Sequence, residues 1–311
     1  MTTMIHEAPV LVVGSANRDY LVRMPALPVP GETTLAQGLR NSCGGKGANQ
    51  AVAASRLGAR VSFVGCVGDD PDGALMLREL RAEGVEISDT TVLHDVETGR
   101  AFVWVDDRGE NSIAVVAGAN FRLSAAKVER TVRRTEPGTV LVVQCEIPVA
   151  TIEAAILAST GTRVVLNLAP VVRLCDDAIR RADPLVLNAA EATALTGIDV
   201  RSSDDALRAA RELHPRPRST VITIGAGGAV WVKGSRSGYC PVRDRVAVVD
   251  STGAGDAFVG ALSAALARGA DLTAAVAYGV HAGSYAVARP GAQASYARIR
   301  DLGAVPGLST S

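Results

Sequence analysis

Short runs that are apolar at every position recur along the chain, separated by longer stretches whose apolar residues return every three or four positions. Residues 10–14 (VLVVG) form the first such run, and others lie at 61–64, 140–143, 164–168, 185–187 and 221–224. A run with no polar face has nothing to turn toward water, so it predicts a strand covered on both sides, as in a parallel sheet. The alanine-rich stretches at 47–57, 73–83, 124–133, 150–159 and 203–213 carry the helical period. Strand and helix alternate, which predicts a layered α/β fold with a largely parallel sheet.

Two regions break the alternation. Residues 17–42 contain three prolines and a Pro-Gly turn but no helical period. Residues 91–116 read as three short strands, TVLH, RAFVWVD and SIAVV, the last following a polar DDRGEN turn. Together these segments, at about 17–42 and 91–117, predict a small β-rich appendage on one domain spanning 1–311. An appendage inserted between strands of an α/β core suits a lid, because closure excludes water from a reaction. The long apolar stretch 257–288 is interrupted by Arg268 and Asp271. It predicts two helices rather than a membrane span.

Composition narrows the function. The 311 residues are 48% hydrophobic and 21% charged, with 32 basic and 32 acidic side chains. That balance argues against nucleic acid or an anionic membrane as the main partner. The five cysteines are scattered without a CxxC pair, so neither a disulfide framework nor a cysteine zinc site is expected. The start, MTTMIHEAP, lacks a basic segment followed by an apolar run, and a cytoplasmic location is expected. Lysine occurs only at Lys46, Lys127 and Lys233, which draws attention to the one inside a glycine-rich motif.

The strongest local signal is DSTGAGD at 250–256, followed by AFVGALSAALA and preceded by VAVV, which reads as a strand. Gly253 and Gly255 let backbone N–H groups turn toward one point at a helix start, where the dipole favours an anion. Asp256 in the first turn is either a dipole partner or a proton acceptor for an attacking hydroxyl. The motif is neither a dinucleotide fingerprint, since Phe258 replaces the last small residue, nor a Walker loop, since no GK[ST] follows. The second signal is NSCGGKGANQ at 41–50, leading into AVAASRLG. Its glycines permit close backbone approach to a ligand, and Lys46 and Asn49 offer donors to hydroxyls or phosphate; the alternative is a capped turn.

Asn17 and Asp19 follow the first strand, where ligands of open α/β sheets bind. Glu146 follows LVVQC at another strand end. Asn188 and Glu191 (NAAE) open a helix, and there the carboxylate is either a cap or, through water, a metal ligand. The loop ITIGAGG at 222–228 either holds nucleotide phosphate or ribose or is a plain hairpin.

Taken together, these features resemble the PfkB (ribokinase-like) family of carbohydrate kinases over nearly the whole chain. The resemblance rests on residues 44–49 with Gly58 and Gly68, on 250–256, and on GSANRDY, the Pro-Gly-Glu at 30–32, CVGDD, GENSIAVVAGAN, NLAP and GAQAS. It implies a three-layer α/β ribokinase-like fold with a mainly parallel central sheet and a small β-sheet lid. It further implies ATP-dependent phosphoryl transfer to the 5-hydroxyl of ribose, with Mg2+ and with K+ as a monovalent activator. Asp256 then resembles the general base, and the N–H groups of Gly253, Ala254 and Gly255 the anion hole. Asn17, Asp19, Gly45, Lys46, Asn49 and Glu146 match sugar-contacting positions. Asn188, Thr223, Gly225 and Gly228, with Gly255, match the nucleotide side, and Glu191 matches an indirect magnesium contact; the adenine-facing position on the last helix falls on Val280, with His281 beside it as a candidate for the ATP side. Asp250, Thr252, Ala286, Arg289, Gly291 and Ser295 match the potassium positions. The pattern departs where Ala189 and Ala190 thin the NxxE element. Lid pairing in the family implies a homodimer. The competing readings are a related kinase acting on 2-deoxyribose, a ketohexose or a nucleoside, and a catalytically silent sugar-binding protein.

Overall fold

A computed structural model describes residues 8–108, 110–243 and 246–302. The strands are β1 (Val10–Val13), β2 (Asn17–Arg23), β3 (Gly38–Gly44), β4 (Val61–Val64), β5 (Cys66–Gly68), β6 (Thr91–Leu93), β7 (Gly99–Val105), β8 (Asn111–Val116), β9 (Val140–Gln144), β10 (Arg163–Asn167), β11 (Ala182–Asn188), β12 (Thr220–Thr223), β13 (Ala229–Lys233) and β14 (Arg236–Cys240). Eight of them form one sheet in the order β14-β13-β12-β11-β10-β9-β1-β4. Pairing is parallel from β4 to β12, and only the β12–β13 and β13–β14 pairs are antiparallel. The fold is thus the α/β arrangement that the apolar runs predict.

The strand period of two splits each run between two cores. Val10 and Val12 pack into one cluster with the helices α1 (Lys46–Arg56), α8 (Ala254–Ala267) and α9 (Leu272–Val287). Leu11 and Val13 face the other, beneath α3 (Ala125–Arg133), α4 (Val149–Ala158), α5 (Asp176–Arg181), α6 (Ala189–Thr196) and α7 (Ser203–Leu213). A further helix, α2 (Pro71–Ala82), starts on an Asp70 cap. The stretch expected as two helices folds as α8 and α9. Among the described residues no helix is long and apolar enough to cross a membrane.

The second sheet has the order β3-β2-β7-β8, built from the segments that broke the helix–strand alternation. Its members from 91–116 are two, not three: β6 pairs in parallel with β5 in a separate two-stranded sheet. The VAVV segment at 246–249 is also not a strand. The chain turns away after β14 at Pro241, and the N–H groups of Val249 and Asp250 bond the Val287 carbonyl at 2.8 and 3.2 Å instead of a strand edge. Val248 and Val249 are left 66% and 60% exposed, so their apolar run buries nothing.

Strand order reverses at β1, because the chain moves from β1 to β4 on one side and later lays β9 on the other. A crevice opens at the carboxyl ends of strands at such a reversal. Two glycines draw helices into it. A Cβ at Gly47 would lie 2.6 Å from the Ser15 nitrogen, and one at Gly260 2.5 Å from the Ala53 Cβ. These contacts seat the start of α1 on the end of β1 and press α8 against α1.

Candidate active site

The close approach of α1 and α8 brings the two glycine motifs together. Asp256, only 7% exposed, accepts from Asn49 Nδ2 at 2.9 Å and from Gln50 Nε2 at 2.9 Å, one donor on each carboxylate oxygen. It lies in the first turn of α8, whose cap is Gly253 at φ 75°. Gly255 has open space where a Cβ would stand, so the backbone there faces a void a ligand can enter.

Around this carboxylate stand the other residues expected at the sugar. Glu146, just past β9, accepts from Ser15 Oγ at 2.6 Å and from the Lys46 main-chain N–H at 3.1 Å. Asn17 Oδ1 accepts from Asn120 Nδ2 at 2.7 Å. Gly45 packs so closely on the main chain of Ala16 and Asn17 that a Cβ would come within 2.7 Å of the Asn17 nitrogen. The Asp256 charge, with Glu146 and Glu191, holds the Lys46 ammonium above its usual range although burial opposes it. Asp19 is pushed up to about 7, first by burial and then by the Glu146 and Asp256 charges, against a smaller opposing effect of Arg18. Its Oδ1 is buried without a hydrogen-bond partner. A buried acceptor left unsatisfied is costly, and a hydroxyl donor from outside the chain would answer it.

Asn188 and Thr223 stand opposite each other where β11 and β12 end. Locally NAAE is a capping box: Asn188 Oδ1 accepts from the Glu191 N–H, and Glu191 Oε2 from the Asn188 N–H, both at 2.8 Å. Burial nevertheless raises the Glu191 carboxyl, and Lys46 and Asp256 act on it electrostatically. Among the described residues no three His, Cys, Asp or Glu side chains cluster as a metal cage.

The glycine loop 225–228 joins β12 to the antiparallel β13, so it is a hairpin. Its main chain touches the walls of a cavity of about 690 Å³ lined by Tyr239, Cys240, Pro241, Val280, His281 and Arg289 among others. Tyr239 donates to the Gly227 carbonyl at 2.8 Å, and a Cβ at Gly228 would meet the Cys240 carbonyl at 2.1 Å. Asp256, Lys46 and Asp19 do not line this cavity. The loop after α9 reaches Asp256 through Asn49, whose Oδ1 accepts from Gln293 Nε2 at 3.0 Å. Asp250 accepts from the Thr252 and Gly291 N–H groups at 2.9 and 2.8 Å. The Ala286 carbonyl accepts from the Arg289 N–H at 3.0 Å, and Ser295 Oγ donates to the Ala292 carbonyl at 2.7 Å.

Sequence reasoning did not single out several contributors. Ser15, Gln50, Asn120, Asn167 and Gln293 all hydrogen-bond within this network. All five lie inside quoted motifs, and all but Ser15 are amides whose role emerges only from partners far along the chain. Tyr296 packs its buried, unpartnered hydroxyl where a Cβ at Gly253 would come within 2.5 Å.

Known proteins resemble this chain in sequence and in fold. The chain is 36% identical over 291 residues to the ribokinase of Haemophilus influenzae, covering 91% of this chain and 94% of that protein. It is 33% identical over 297 residues to the deoxyribokinase of Salmonella typhi, covering 94% and 97%. The Arabidopsis thaliana ribokinase complexed with ribose and ATP superposes with a TM-score of 0.84 at 28% identity, covering 95% of this chain and 97% of that one. The family model for pfkB family carbohydrate kinases matches residues 8–299. This chain therefore belongs to the PfkB family of carbohydrate kinases and is an ATP-dependent sugar kinase.

Proposed function

We propose that the protein transfers the γ-phosphoryl group of ATP to the 5-hydroxyl of D-ribose, giving ribose 5-phosphate and ADP. The observation that carries the reading is Asp256, a buried carboxylate at a helix start, held at both oxygens and flanked by Lys46, Asp19 and Asn49. Asp256 takes the proton of the attacking hydroxyl as the oxygen bonds phosphorus. The N–H groups of Gly253, Ala254 and Gly255 receive the charge that develops on the phosphoryl oxygens, which is where most of the catalysis of such a transfer lies. Asp19, Asn17, Gly45, Lys46, Asn49 and Glu146 bind and orient the sugar.

ATP lies along the cavity beside His281, with Thr223, Gly225, Gly228 and Asn188 on its phosphate side. Mg2+ bound to the nucleotide would neutralise phosphate charge, and Glu191 would reach it through water. The oxygen-rich loop pair formed by Asp250, Thr252, Ala286, Arg289, Gly291 and Ser295 fits a hard monovalent cation such as K+, which would stiffen the anion hole without touching substrate. The four-stranded sheet acts as the lid, and its exposed Leu39, Ile113 and Val115 pair two copies as a homodimer in the cytoplasm.

The second reading is 2-deoxyribose, favoured by the 33% identity to a deoxyribokinase, close to the 36% to a ribokinase. The two sugars differ by one hydroxyl, and a site that bonds that hydroxyl rejects the analogue by roughly 10⁴-fold or more. The kcat/KM ratio for ribose over 2-deoxyribose with Mg-ATP tests the choice. A ratio well above unity is expected; a ratio below unity reassigns the sugar and leaves the kinase chemistry in place.

A further inference from the structure

Gln50 is fully buried and donates from Nε2 to two acceptors, Asp256 Oδ1 at 2.9 Å and Asn167 Oδ1 at 3.0 Å. Its Oε1 accepts from Gln144 Nε2 at 2.6 Å, and Asn167 Nδ2 donates to the Val186 carbonyl of β11 at 3.3 Å. The sense of this chain is forced. A carboxylate only accepts, so Gln50 must offer its NH2 group to Asp256. Gln144 must then offer its own NH2 group to the Gln50 oxygen. Asn167 must turn its oxygen to Gln50 and its NH2 group to a main-chain carbonyl that cannot rotate.

Gln144 gives something up for this. Its Oε1 is buried without a partner, wedged where a Cβ at Gly14 would come within 2.0 Å. An orientation that leaves one atom unsatisfied persists where the other end of the amide is needed. On the far oxygen of Asp256 the same pattern repeats: Asn49 donates to Oδ2 and accepts from Gln293 Nε2 at 3.0 Å.

We infer that Gln50, oriented by Gln144 and Asn167, is a positioning residue that fixes the Asp256 carboxylate in the rotation from which it meets the attacking hydroxyl. The inference rests on the reading of Asp256 as the base. A carboxylate held at both oxygens cannot swing, and a base displaced by about an ångström loses on the order of 10²-fold in rate. The charged groups acting on Asp256 are Lys46, Asp19 and Glu191, with the Tyr296 hydroxyl behind it. Among the described residues none of them donates to its Oδ1, so Gln50 has no understudy there.

The test measures kcat and sugar KM of the full chain with ribose and Mg-ATP for Gln50→Met, Gln144→Met, Gln50→Glu and Asp256→Asn, with a melting curve for each. Gln50→Met is expected to lose about 10- to 100-fold in kcat with sugar KM changed less than about threefold. Gln144→Met, which removes the donor that anchors the Gln50 oxygen and leaves the amide free to shift, is expected to lose kcat in the same manner by a smaller factor. Gln50→Glu should lose activity as pH rises, because the introduced carboxyl donates to Asp256 only while protonated. Parental kcat in a folded Gln50→Met, or in Gln144→Met should the first not fold, overturns the positioning role. So does a loss that appears equally in KM. If Asp256→Asn keeps parental turnover, the base reading falls and the inference with it; if only that variant is inactive, the inference alone falls.

Discussion

The side-chain amide of Asn49 donates to Oδ2 of Asp256 at 2.9 Å, joining the first turns of two helices that lie 207 residues apart in the chain. The contact exists because Gly260, one turn beyond Asp256, lets α8 settle on α1 with no Cβ between them. Replacing Asp256 by Asn keeps the volume and removes the proton acceptor. A loss of about 10² to 10⁴ in kcat is expected, with sugar and nucleotide binding retained, read by steady-state kinetics and calorimetry.

Gly253 and Gly255 separate fold from function within one loop. Gly253 has φ 75°, and a Cβ there would meet Tyr296 and Ala292, so Gly253→Ala should lower both the melting temperature and activity. Gly255 carries no such conformation and meets nothing within 4 Å. Alanine in a helix is favoured over glycine by up to about 1 kcal/mol, so Gly255→Ala should melt no lower than the parent. Its activity should fall all the same, because the methyl group enters the space the phosphoryl group needs. Parental activity in Gly255→Ala would remove that loop from the anion hole.

Much of this was legible along the chain. Strands buried on both faces have no polar period, so β1, β4, β9, β10, β11 and β12 appear as plain apolar runs. The glycine motifs stand out because close backbone approach admits few residues. What escaped is what depends on partners. VAVV has the composition of a strand, yet Pro241 ends the edge strand before it and the Val287 carbonyl takes its N–H groups. TVLH is a strand, but its neighbour is β5 rather than the lid. Gln50 and Asn167 meet across 117 residues, and no spacing rule marks an amide whose role is to orient another.

Asp19 sets a pH dependence whose sign can be worked out. Its carboxyl titrates near 3.8 when free and at about 7 in the fold. Between those values the folded chain holds a proton that the unfolded chain has released, so stability falls as pH rises through that window and is level above it. In Asp19→Asn this decline should shrink, seen as a smaller drop in melting temperature from about pH 5 to about pH 8. Sugar hydroxyls donating to the ionised carboxylate should bind more tightly as pH rises through neutrality, and the variant should bind weakly and without that trend.

His281 and Arg289 border the cavity assigned to ATP, and neither lies among the sugar-side residues. Substitution of His281 by Ala should raise the KM for ATP several-fold and leave the KM for sugar unchanged. An equal rise in both would place His281 outside the nucleotide site.

Phosphorylation of ribose by ATP at the 5-hydroxyl is the reaction on which the roles of Asp256 and the glycine loop depend. The most direct measurement is sugar-dependent ADP release in Mg-ATP and potassium buffer over ribose, 2-deoxyribose, fructose, adenosine and uridine, with the phosphorylated carbon of the product identified by NMR. Turnover is expected to be highest on ribose, with phosphate on carbon 5 and product formation by Asp256→Asn lowered about 10²- to 10⁴-fold. Higher turnover on another member of the panel, phosphate on a different carbon, or a fully active Asp256→Asn would contradict this assignment.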